Sequence, residues 1–216
     1  MLKQISALIL SLGLSLNAFA AEKSNTTLKK ISQKYRSAKL VEMNVEKIDK
    51  LALQGRENKY EGTIAISSGK FRWENTTPEK SLLVFDGTTI WSVQYPPKEF
   101  GGDPQIGRGK VNKKNKSQTI IATLLGGDLQ GNFKVTKEET DGDKSTLSVA
   151  PIKEDLVIKD IKFVVNTKKT IVEQISYKDD VQNITTMKFS DVKFKNNVKK
   201  SLFKYEPPKG VPVTDL

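Results

Sequence analysis

The sequence contains neither histidine nor cysteine. Without thiols there can be no disulfide framework, so an exported product must hold together by burial alone. Without imidazole or thiolate there is no Ser-His-Asp triad, no cysteine nucleophile and no typical zinc site. Carboxylates, lysines and hydroxyls remain, but no pair of them has a spacing that argues for acid and base roles. Long apolar runs are missing too. The stretch "ISALILSLGLSL" from Ile5 is short of the roughly 18 to 20 apolar residues that a spanning helix needs, and no later segment approaches that length. There is no G-x-x-x-x-G-K-[ST] phosphate loop, and "GRGK" at Gly107 has no strand feeding it directly into a helix.

What is present begins with a leader. Lys3 gives a short basic n-region, the apolar run follows, and "AFA" ending at Ala20 is a small-residue cleavage pattern. This predicts a secretory signal peptide over residues 1–20, cleaved after Ala20, and a single domain over residues 21–216. The cleavage region has no cysteine to take a lipid, so the expected product is soluble and diffusible. Lys and Arg number 36 against 25 Asp and Glu, a net charge of +11 that favours anionic lipid headgroups or an acidic partner protein. Nucleic acid is not expected as a partner of an exported chain. The basic residues Arg108, Lys110, Lys113, Lys114 and Lys116 read first as a solvated loop and second as a docking patch.

Leu28, Ile31, Tyr35 and Ala38 recur at helical spacing, with Asn25 or Thr26 as the cap, and predict one amphipathic helix at the start of the domain. From Leu40 the period becomes two. Val41, Met43 and Val45, then Ile64 and Ile66, then Phe71 and Trp73 alternate with polar neighbours and predict strands with these side chains inward. "SLLVF" is apolar on both faces, Asp86-Gly87 marks a hairpin, and "TTIWSVQY" returns with Trp91, Val93 and Tyr95 aligned. "PPKEFGGDPQIGRGKVNKKNK" reads as a long exposed loop with room for short strands. "SQTIIATLLGG" predicts a second helix, capped by Ser117 and ended by Gly126 and Gly127, with Ile120, Ile121, Leu124 and Leu125 as its apolar face. Five further strands are expected from Phe133 onward. The predicted architecture is mainly β (α+β): an incomplete, strongly curved antiparallel barrel of about 10–11 strands with helices against its concave face.

Three ordered stretches, "GKFRWENTTPEKSLLVFDGTTIW", "TIIATLLGGDLQGNFKV" and "FSDVKFKNNVKKSLFKYEPPKGVPV", together resemble the periplasmic outer-membrane lipoprotein carrier family, LolA. The F-x-W pair, the apolar strand leading to D-G-x-x-x-W, and the terminal F-x-x-x-P-P-K-G-V carry the resemblance. It implies a hydrophobic cavity under a helical lid, in a monomer that works without a cofactor. Such carriers take acylated lipoproteins from an inner-membrane ABC transporter and pass them to an outer-membrane lipoprotein receptor. The cavity wall would comprise Ile64, Ile66, Phe71, Trp73, Val84, Trp91, Val93, Phe133, Phe163 and Phe189. Leu28, Ile31, Tyr35, Ile120, Ile121, Leu124 and Leu125 would form the lid.

The same residues serve equally as ordinary packing, since alternating apolar positions are what any β core requires. A lipid-sensing regulatory module on a similar half-barrel is the alternative function, and an envelope hydrolase is disfavoured by the missing histidine and cysteine. One departure from the family pattern stands out. Ser67 and Ser68 occupy the positions where the family carries a basic residue and a proline, and Lys70 and Arg72 alternate outward.

Overall fold

The computed structural model describes residues 15–110, 129–152 and 158–216, with side chains from Thr26 onward. Helix α1 spans Ser15–Ser37, and twelve strands follow: β1 Leu40–Leu51, β2 Arg56–Ser67, β3 Lys70–Thr77, β4 Ser81–Phe85, β5 Thr89–Gln94, β6 Gln105–Lys110, β7 Phe133–Asp141, β8 Lys144–Pro151, β9 Lys159–Asn166, β10 Ile171–Lys178, β11 Ile184–Lys195 and β12 Val213–Asp215. A single turn of helix, α2 at Leu129–Asn132, precedes β7. All twelve strands form one open, curved sheet in the order β12-β6-β5-β4-β3-β2-β1-β11-β10-β9-β8-β7. Neighbours are antiparallel except β12, which pairs in parallel with β6. The eleven antiparallel strands match the expected count; the twelfth, three residues long, lies beyond the predicted strands.

Local chemistry sets the turns. Ser68 and Gly69 both have positive φ, 46° and 78°, the backbone of a type I′ hairpin whose twist matches that of strands β2 and β3. Ser67 and Ser68 thus end a strand and turn it. Between β4 and β5, the Asp86 carboxylate accepts from the Thr88 and Thr89 amides at 2.8 Å each, and Gly87 takes φ 100°. The expected cap at Asn25 or Thr26 is a correction: the helix runs through both, because Leu16 and the alanines before them continue it. Its last turn carries Lys34 and Arg36, favourable at the negative end of the helix dipole.

Because side chains alternate across each strand, the sheet separates two apolar sets. The face toward α1, the concave one, holds Val41, Met43, Val45, Ile64, Ile66, Phe71, Ile90, Phe133, Leu147, Phe163, Val165, Ile175, Met187 and Phe189, all buried. On the outer face, Leu82, Val84, Val93 and Ile106 pack with Trp91 and Tyr95 beneath Tyr205 and Val211 of the C-terminal segment. Leu40 and Ala65 pack under Phe203. The terminal F-x-x-x-P-P-K-G-V stretch is therefore a strap over the outer face. Phe203 and Val211 are its anchors, and Gly210, at φ 82°, supplies the turn in which the Val211 amide reaches the Pro208 carbonyl at 3.3 Å.

Candidate functional site

Helix α1 lies across the concave face through Leu28, Ile31, Ser32 and Tyr35, each 5% exposed or less. Polar ties hold it along its length. Thr27 Oγ1 donates to Glu138 Oε1 at 3.0 Å, and Lys34 Nζ donates to the Lys169 carbonyl at 2.5 Å. The Tyr35 ring meets Phe194 edge to face at 5.2 Å. Its hydroxyl accepts from the Val172 amide at 3.1 Å, where β9 and β10 slip register and the ladder is interrupted. The helix thereby satisfies a backbone donor that the bulge would leave unpaired. Burial pushes the Tyr35 hydroxyl up to about 12, with the Val172 hydrogen bond opposing.

Beneath the helix the wall is dry. Phe71, Phe163, Ile175 and Met187 are each 1% exposed or less, and rings meet at Phe133–Phe163 (5.9 Å) and Phe71–Phe85 (6.0 Å). Of the ten expected wall residues, Ile64, Ile66, Phe71, Trp73, Phe133, Phe163 and Phe189 lie together on this face. Val84, Trp91 and Val93 do not, which corrects the sequence-based expectation. Val84 pairs with Trp91 and Leu82 with Val93, and all four point to the outer face, where the Trp91 ring lies 5.4 Å from Tyr205 and 5.8 Å from the Arg108 guanidinium. The concave side of these strands is carried instead by Leu83, Phe85 and Ile90, since Phe71 opposes Phe85 and Trp73 opposes Leu83. "SLLVF" is apolar at every position, so alternation alone cannot choose its inner face; the cross-strand register can. Leu28, Ile31 and Tyr35 are placed against the wall, while Ile120, Ile121, Leu124 and Leu125 lie outside the described residues.

One end of the concave face is polar, which periodicity missed. Lys47 and Asp49 continue the inward parity of Val41, Met43 and Val45, and their charged groups are 2.5 Å apart. The Lys47 ammonium stands 4.9 Å from the Tyr60 ring centre and 5.8 Å from that of Trp73. Thr185, itself buried, donates to Asp49 Oδ1 at 2.7 Å. Tyr177 beside it is pushed up to about 12, chiefly by burial, with a Thr185 hydrogen bond opposing and Asp49 adding to the rise. Trp73 Nε1 is buried and has no hydrogen-bond partner among the described residues. Arg72, by contrast, points outward: it pairs with Glu74 at 2.5 Å and reaches the Leu202 carbonyl of the strap.

Among the described residues, a hollow of about 710 Å³ is lined by Ser148, Ala150, Lys162 and Ser176 together with Val149, Ile158 and Ile161, and one of about 300 Å³ by Asn44, Ala65 and Leu202 together with Met43 and Ile64.

The chain is 27% identical over 166 residues to the outer-membrane lipoprotein carrier protein of Chromobacterium violaceum, covering 74% of each chain. It is 24% identical over 217 residues to that of Pseudomonas putida, covering 97% of this chain and 95% of the relative. Among solved structures, an uncharacterized conserved protein of Thermus thermophilus shares the fold, with a TM-score of 0.53 at 10% identity over 90% of this chain and 99% of that one. The family described as outer membrane lipoprotein carrier protein LolA matches residues 49–206, from the end of β1 to the strap, and the chain belongs to that family.

Proposed function

We propose that this protein carries acylated lipoproteins through the periplasm, taking their acyl chains onto the concave face after α1 has swung aside. The observation that carries this is the form of the closure: among the described residues, an extended apolar wall has one amphipathic helix packed on it, with polar ties spaced along that helix. Magnitudes favour exchange. Leu28, Ile31 and Tyr35 each contribute about 1.5–3 kcal/mol by burial, so docking the helix is worth on the order of 6 kcal/mol gross. A sixteen-carbon chain in water costs on the order of 10 kcal/mol, at about 0.8 kcal/mol per CH₂. The two magnitudes are comparable, so acyl chains and the helix can exchange on the wall, and an empty carrier recloses over its wall rather than exposing it.

No bond is made or broken in this cycle, so the protein is a binding protein and not an enzyme. Directional transfer requires only that each successive partner hold the acyl chains more favourably. The donor would be an inner-membrane ABC transporter and the acceptor an outer-membrane receptor, with the signal peptide of residues 1–20 removed after Ala20 and residues 21–216 acting as one monomeric domain.

The test is to purify the protein from its own envelope and identify bound species by mass spectrometry. Acylated lipoproteins at near one per protein are expected. Free phospholipid alone would make the protein a general lipid carrier, and a tightly bound regulator would make it a sensor.

A further inference from the structure

We propose that the polar end of the concave face is a seat for the ester carbonyls of a diacylglyceryl group, with Lys47 and Trp73 as the donors. The inference rests on the concave face being an acyl-chain site, and it says which part of the ligand lies at which end. Two inward positions of β1, Lys47 and Asp49, break an apolar stripe that Val41, Met43 and Val45 establish. Charge at inward positions is costly unless it is paired, and here it is paired: Asp49 accepts from both Lys47 and Thr185. The ammonium is only partly consumed. It carries three N–H donors, Asp49 takes one, and the aromatic faces of Tyr60 and Trp73 lie 4.9 and 5.8 Å away. The second donor is the indole N–H of Trp73, buried and without a hydrogen-bond partner among the described residues. A buried donor left unmade costs free energy that a ligand acceptor recovers.

The charge balance selects the acceptor. Lys47 and Asp49 neutralise each other, so the seat has donors to offer but little net positive charge, which suits a neutral carbonyl better than a phosphate. A neutral acceptor at the head of long apolar chains is an acyl ester. The Lys47 side chain is 23% exposed and that of Asp49 17%, so the seat lies at the rim. Chains would run from it toward Phe71, Phe163 and Met187, leaving the rest of a client outside. A lipoprotein and a phospholipid both present such esters; only the first continues as a polypeptide.

The test uses the purified protein and three probes: a synthetic diacylglyceryl-cysteine lipopeptide, its dialkyl ether analogue without carbonyls, and phosphatidylethanolamine vesicles. The wild type should bind the ester lipopeptide on the order of tenfold more tightly than the ether. Lys47→Met and Trp73→Phe should each bring the ester's affinity down toward that of the ether. With ¹⁵N-labelled indoles, the ester should shift the Trp73 signal and leave that of Trp91 in place, which also reports that each variant is folded. Capture of phosphatidylethanolamine with the same Trp73 shift would make the seat a general acyl-ester site; its absence assigns the seat to lipoproteins. Equal affinity for ester and ether, or an unmoved Trp73 signal with ligand bound, overturns the seat alone. No binding of either lipopeptide overturns the concave-face site and the seat with it.

Discussion

Shortening Ile31 to alanine should tighten acyl-chain binding, although it removes an apolar contact. Ile31 is 1% exposed, on the face of α1 that seals the wall. Large-to-small changes at such sites cost about 2–5 kcal/mol, and the lower end applies where a surface helix can settle into the gap. The concave wall does not lose a residue of its own, so the cost falls on the closed state. A ligand that binds only the open state has its apparent affinity reduced by the open fraction. Raising that fraction by about 2 kcal/mol should improve apparent affinity about 30-fold until the helix is mostly open. Hydrogen exchange supplies the control: amides of α1 should exchange faster by a similar factor while those of β1 and β11 keep their protection. The reasoning is refuted if α1 and β1 lose protection together and lipopeptide affinity is unchanged or weaker, since the helix is then ordinary core.

Tyr35→Phe should cost about 1–3 kcal/mol in thermal denaturation, because the Val172 amide loses its acceptor. The pH dependence has a definite sign. The Tyr35 value is raised from 10.0 to about 12, so its contribution to closure is complete below pH 10 and falls by about 1.4 kcal/mol per unit as pH rises toward 12. Exchange of α1 amides should accelerate in that window in the wild type and less so in Tyr35→Phe. Gly62→Ala should destabilise the fold by more than about 2 kcal/mol in urea melts, because the added Cβ would meet the Glu74 backbone oxygen at 2.0 Å. Phe203→Ala, on the outer strap, should lower stability by about 3–5 kcal/mol while lipopeptide affinity in the folded fraction stays within twofold. Trp73→Glu should abolish loading and leave a folded protein by circular dichroism.

Much of this fold was legible because most strands have one wet face. The stretches "KSTLSVAP" and "NITTMKFSDVKF" alternate cleanly and appear as β8 and most of β11. Legibility failed where both faces are dry. "SLLVF" gives no alternation, so its Val84, and with it the paired Trp91 and Val93 of the next strand, read as concave although register places them under the strap. The C-terminal segment hides its role for a different reason: a strap anchored by single residues, Phe203 and Val211, has no period to detect. Lys47 and Asp49 escape periodicity because an inward charge looks like the end of an apolar pattern, and only cross-strand geometry shows that the pair is held between Thr185 and two rings.

The central claim is that acyl chains enter the concave face and not the outer one. Photo-crosslinking residues placed singly at Trp73 and Phe85 on the concave face, and at Trp91 and Tyr95 on the outer face, can be irradiated in cells and their lipoprotein adducts identified. Adducts from the first pair and none from the second are predicted. Adducts from Trp91 and Tyr95 alone, or equally from all four, would contradict it.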